Sequence, residues 1–187
     1  MEPIRAERAT VKFFDGLEVD GYRMPNGEFR VGLQGASLVL GFAENWLRRL
    51  LNRETGTQIK TLRGLGFTEE TQKVVHESNK GSRSAETISL RDFNRLIAFA
   101  VSKGKKAALA LQLALTEVAL NDFFRHAFGE PPLSIEEKRR LFYETYAATI
   151  SPEDWRTMDR QDILRLALPG DESQLRDGLW NSWEDDE

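Results

Sequence analysis

The tripeptide Pro25-Asn26-Gly27 constrains this chain more than any other feature of its sequence. Asn-Gly accepts positive φ at little cost, so a tight reversal belongs there. The segments on either side carry the two-residue alternation of half-buried strands. From Leu17 to Met24, Leu17, Val19 and Gly21 share one parity while Glu18, Asp20 and Tyr22 share the other. Glu28 to Leu33 then returns as the partner strand. Upstream, Thr10 to Phe14 is rich in β-favouring residues (Val11, Phe13, Phe14) and ends on the turn pair Asp15-Gly16. Together these segments predict a short antiparallel β meander in the N-terminal third.

The period changes after Leu33. Ala36, Leu38, Val39 and Leu40 are apolar at helical spacing, and Gly41 stops that helix. A second helix is predicted from Glu44 to Asn52, with Trp46, Leu47, Leu50 and Leu51 inward. A helix-turn-helix unit needs a small residue in its first helix, a glycine at its turn and an apolar residue in its second; Ala36, Gly41 and Leu47 fill these places. Asn45, Arg48, Arg49, Asn52 and Arg53 then face outward. Asparagine and arginine are the side chains suited to bidentate reading of adenine and guanine edges in the major groove.

Bulk charge does not announce such a role, since the formal net charge is −4. Its distribution matters more. From Trp46 to Gly64 the cations Arg48, Arg49, Arg53, Lys60 and Arg63 face Glu54 alone, whereas the tail from Gly170 carries seven acidic residues against Arg176. A basic segment inside an acidic chain still binds phosphate, because the field acts over a Debye length. The chain has no cysteine, which excludes disulfides, thiolate catalysis and Cys-type zinc sites and suits a reducing, cytoplasmic setting. Met1 to Thr10 is charged and lacks the apolar core of a secretory signal. The most apolar stretch, Ala107 to Phe128, is interrupted by Gln112, Glu117, Asp122 and Arg125, so it is read as a core or interface helix, and no membrane partner is expected.

Thr55 to Gly66, with three glycines, is predicted as a loop with at most one helical turn. Lys73 to His76 and Glu86 to Leu90 pair as a second hairpin around the loop-like Ser78 to Ser84. Lys80 and Arg83 would then sit on a basic wing touching phosphates or the minor groove. His76 is read as an ordinary polar surface residue. The C-terminal half is helical. Ser89, with Asp92 three residues on, caps a helix to about Ser102, and Gly104 breaks it. Lys105 to Phe128 forms a long helix closed by Gly129. Ser134 and Glu137 make a capping box for a helix to about Thr149, and Ser151-Pro152-Glu153-Asp154 starts another.

The runs GYRMPNGEFRVGLQGASLVLGFAENWLRRLL and TISLRDFNRLIAFAVSKGKKAA resemble Bro-N and phage-antirepressor-type modules over about residues 10–110. The resemblance rests on the meander, the leucine-glycine-aromatic step Leu40-Gly41-Phe42, and the strand-to-helix step Ile88-Ser89-Leu90. It implies DNA binding and a regulatory, antirepressor-like role. Where those modules carry a tryptophan-phenylalanine strand and an acidic residue before the first helix, this chain has Leu33-Gln34-Gly35-Ala36.

An enzymatic reading is the alternative. Asp20 and Glu28 lie on facing strands of the first hairpin, and with Arg30 in the lysine position they approximate the Asp…Glu-x-Lys metal site of nucleases. Arginine does not give up a proton and serves poorly as a base. Asp15, Glu18 and Asp20 start like a calcium loop, but position twelve is Asn26. His76 and His126 support no nucleophilic triad, and no phosphate-binding glycine loop is present.

These readings predict an α+β chain with no cofactor. Residues 1–90 form a β meander plus helix-turn-helix, 91–169 a helical packing and oligomerisation region, and 170–187 an acidic tail. Double-stranded DNA is the expected partner, read or clasped by Asn45, Arg48, Arg49, Asn52, Arg53, Lys60, Arg63, Lys80 and Arg83. The alternatives are the metal-dependent nuclease and a module whose arginine face binds an acidic protein. Because the long helix is apolar nearly all round, neighbouring helices or a second subunit must cover it; a homodimer or higher oligomer is expected.

Overall fold

The computed structural model of the chain describes residues 4–53, 56–78 and 81–150. Lys80, the helix predicted from Ser151 and the acidic tail lie outside the described residues. The fold is α+β, built on a six-stranded mixed sheet. Its strands are β1 (Ile4–Arg5), β2 (Glu7–Phe14), β3 (Leu17–Arg23), β4 (Phe29–Gly32), β5 (Gln72–Ser78) and β6 (Gly81–Ser89). They lie in the order β1-β5-β6-β4-β3-β2. Among the described residues only β1 with β5 is parallel; every other pairing is antiparallel.

The reversal at Pro25-Asn26-Gly27 is formed as its residues require. Gly27 takes φ 84°, its N–H donates to Met24 O at 2.9 Å, and the Asn26 side chain accepts from Glu28 N at 3.0 Å. Leu17 and Val19 point into the core, and the alternate Tyr22 and Met24 form a small apolar cluster with Val74 on the opposite sheet face. A register shift between Lys12 and Phe14 bends the end of β2, as bulges do. Both rings there meet one helix: Phe13 stacks on Phe142 at 5.2 Å, and Phe14 meets Tyr143 edge-on at 5.2 Å.

The helices are α1 (Leu33–Val39), α2 (Trp46–Leu51), α3 (Thr57–Gly64), α4 (Leu90–Ser102), α5 (Lys106–Ala127) and α6 (Ile135–Thr149). One continuous core takes side chains from Phe14 to Ile150, on both sides of position 90. Several boundaries differ from the sequence expectation, and three of them change the kind of element. Helix α1 starts at Leu33, directly after the strand, where alternation had continued the strand through that residue. Helix α3 occupies most of the glycine-rich segment expected as a loop, because Ile59 and Leu62, three apart, are fully buried. Finally, β5 and β6 extend into the segment expected as a loop, in the register His76↔Arg83 and Ser78↔Gly81. Their serine-rich ends stay paired because a ladder joins backbone groups and needs no apolar side chain.

The capping signals are realised as spaced. Ser89 Oγ accepts from Asp92 N at 3.0 Å. Asp92, fully buried, accepts from the Thr68 backbone at 2.9 Å and from its hydroxyl at 2.7 Å, tying α4 to the segment after α3. Ser134 and Glu137 form the reciprocal capping box on α6. Lys138 holds the Asp122 carboxyl below the ordinary carboxylate range, helped by the Leu133 N–H, and so clamps α6 to α5. Replacing Ser89 by alanine removes an acceptor from the first turn of α4 and is expected to cost about 1 kcal/mol. The urea midpoint should fall with the slope unchanged; an unmoved midpoint would show that this cap adds nothing to stability.

Among the described residues, α5 is long and apolar enough, by length and composition, to cross a membrane. In this fold its first half lies in the core, with Ala108, Ala110, Leu111 and Ala114 fully buried.

Candidate nucleic-acid interface

The α1–α2 pair is held by small buried groups. Ala36 and Leu47 are fully buried, and Gly41 takes φ 75° at the turn, which disfavours any residue with a Cβ. Ser37, also fully buried, donates to Leu33 O at 2.9 Å and accepts from Leu47 N at 3.3 Å, so one hydroxyl fixes the start of α2 against α1. Phe42 stacks on Trp46 with centroids 3.8 Å apart, and Lys105 lies 4.9 Å from the Phe42 ring. Ala36 and Leu47 thus pack within the α1–α2 pair with Gly41 at its turn, which by itself does not establish a helix-turn-helix unit. Helix α2 itself has six residues, a length of roughly 9 Å at 1.5 Å per residue.

All five side chains assigned outward on this unit, Asn45, Arg48, Arg49, Asn52 and Arg53, are exposed. They are not equivalent. Arg48 Nε lies 3.6 Å from Glu86 on β6. Arg49 and Arg53 have no ion-pair partner among the described residues. On α3, Lys60 is exposed and likewise unpaired, whereas the Arg63 guanidinium is engaged at both ends by Glu69, with Nη2 to Oε2 at 3.0 Å. Arg63 is therefore largely satisfied within the chain.

The structure brings together two basic residues that the sequence had placed on separate devices. Arg48 from α2 and Arg83 from the β5–β6 hairpin line one cleft of about 650 Å³ over the open sheet face. Its floor includes Tyr22 and His76, whose rings tilt together at 5.6 Å. His76 is buried, not a surface residue, with its ring against Tyr22. Burial pushes the Tyr22 hydroxyl above its ordinary range. The cleft also holds Arg8, which the sequence reading did not assign. Arg8 pairs across the sheet with Tyr22 in register, and its Nη2 donates to Asp20 at 2.6 Å. The signal was the parity of β2, lost because that strand was read only from Thr10 onward.

The alternative nuclease triplet is not assembled. Tyr22 pairs with Arg30, and Met24 N donates to Glu28 O, so Asp20 and Glu28 lie on one face but four strand positions apart. That is about 13 Å at 3.3 Å per residue, too far for two carboxylates to share an ion. Each is also committed elsewhere: Asp20 to Arg8, and Glu28 to Arg30 at 2.7 Å. Arg30 is itself buried and donates further to Thr87 Oγ1 at 3.1 Å and Glu70 O at 2.9 Å. It is a structural clamp between strands, not a stand-in for a catalytic lysine. Among the described residues no group of three or more histidines and carboxylates is placed to hold a metal ion.

Comparison of the chain with protein-family models, with curated proteins and with solved structures returns no match.

Proposed function

We propose that this chain binds double-stranded DNA with the α2–α3 unit and the β5–β6 hairpin, in the regulatory, antirepressor-like manner that the Bro-N resemblance implies. The observation carrying this reading is the distribution of uncommitted cations. Arg49, Arg53, Lys60 and Arg83 are exposed without a carboxylate partner among the described residues; the cleft beside Arg83 also holds Arg8 and Arg48, which are paired with Asp20 and Glu86. Guanidinium groups free of internal partners are available for charge-assisted, bidentate contacts to phosphate or to guanine. Asn45 and Asn52, exposed on the same unit, supply neutral groups able to read adenine. With a net charge of −4 the attraction must be local and steeply salt-dependent.

Titration of a labelled duplex at increasing salt tests the proposal. Four phosphate contacts would give a slope of log affinity against log salt of about −3 to −4. No binding at low salt would remove the proposal, and equal affinity for every duplex would limit it to backbone contacts.

A further inference from the structure

From Leu113 onward, α5 presents an apolar stripe to solvent. Leu113 is 45% exposed, Leu120 50%, Phe123 74%, Phe124 64% and Phe128 80%, and Ile135, opening α6 just beyond, is 52% exposed. At about 200 Å² for a fully exposed phenylalanine, the three rings alone offer roughly 400 Å². With the aliphatic residues the stripe reaches roughly 700 Å², beyond the 300–600 Å² of the largest apolar patch on a typical monomer. A standard protein interface takes about 800 Å² from each partner. The area approaches what one half of a stable dimer needs.

We propose that a second copy of this chain covers the stripe, with the two α5 helices packed antiparallel about a two-fold axis near Leu120. The spacing suits that arrangement. Leu120 lies midway between Leu113 and Phe128, so an isologous contact sets the smaller aliphatic end of one copy against the larger aromatic end of the other. The antiparallel helix dipoles add to this. A lipid surface is a poorer occupant, because Glu117 would enter hydrocarbon. The proposal does not depend on DNA binding.

Light scattering of the full chain should return twice the chain mass of 21.4 kDa. The pair Phe123→Ser and Phe128→Ser, both at exposed positions, should give a monomer with unchanged circular dichroism and melting temperature. The chain has no cysteine, so one introduced thiol is an unambiguous reporter. Leu120→Cys should form a disulfide-linked dimer under mild oxidation, while Gln58→Cys, exposed on α3 away from the stripe, should not. A monomer at every concentration would overturn the proposal and give the face to residues 151–187 of the same chain, to a foreign protein or, if the protein floats with neutral lipid vesicles, to a membrane. A dimer that survives the serine changes, or that Leu120→Cys does not trap, would also overturn it.

Discussion

Replacing Arg30 by alanine is expected to destabilise the protein by about 3 kcal/mol without altering the sheet's topology. The guanidinium is 3% exposed and makes four contacts: Glu28 Oε1 at 2.7 Å, Thr87 Oγ1 at 3.1 Å, Thr87 O at 3.3 Å and Glu70 O at 2.9 Å. Breaking a fully buried ion pair costs about 3–5 kcal/mol, because the surviving charge stays buried and alone. Here Glu28 is 36% exposed and regains water, which moderates that part. Thr87 keeps its own donation to Gln72 O at 3.0 Å. The Glu70 carbonyl is left without the guanidinium, at about 1–3 kcal/mol if water does not reach it. In a chain of this size the loss should lower the melting temperature by about 6–12 °C and shift the urea midpoint at constant slope. Arg30→Lys should recover part of it, since an ammonium keeps the charge but not the fork that reaches acceptors on three residues. A change below about 0.5 kcal/mol would mean that the clamp adds no stability.

Arg30 also shows where sequence reasoning stops. Its strand and neighbours were readable from alternation, but its partners were not. Thr87 is 57 residues away and Glu70 is 40. No local period announces which arginine will be enclosed once β6 lies beside β4. Glu28-Phe29-Arg30 therefore resembled a catalytic spacing when its geometry is that of a cross-strand tie. Local signals fared better because their physics is local. The Asn26-Gly27 turn, the Ser89 cap with Asp92 and the Ser134–Glu137 box each place a donor and acceptor within three residues, and each is formed. Helix α3 was hidden for the opposite reason. Glycines at 56, 64 and 66 bracket it, and the two residues that justify it, Ile59 and Leu62, act only through burial against distant elements.

The candidate interface was legible in the same uneven way. Which side chains of α2 point out follows from the 100° step between residues, and all five assigned ones are exposed. Which of them are free does not follow. Arg63 meets Glu69 only because Gly66, at φ 84°, and Glu69, at φ 63°, turn the chain back on α3. The meeting of Arg48 with Arg83 in one cleft depends on a sheet order, β6 beside β4, that no motif encodes.

The double substitution Arg49→Ala and Arg53→Ala is expected to weaken duplex binding by one to two orders of magnitude while leaving the fold intact. Both residues are exposed and neither has an ion-pair partner among the described residues, so each change should stay within roughly ±0.5 kcal/mol of wild-type stability. The form of the loss tells what each arginine does. A phosphate contact weakens binding to every sequence and reduces the salt slope by about one. A base contact costs about 1–3 kcal/mol and relaxes discrimination at one position while the slope for random duplex stays as it was. Arg49→Lys separates the two again, because lysine answers a phosphate as a point charge but does not reproduce the fork that grips guanine. Arg63→Ala is the internal control. Its guanidinium is already held by Glu69, so its removal should change affinity less than either of the others, although the formal charge lost is the same. If all three alanine variants weaken binding equally, general charge and not the geometry of α2 governs the interaction. If the double variant binds as wild type does, α2 is not the contact, and the cleft lined by Arg8 and Arg83 is the surface to change next.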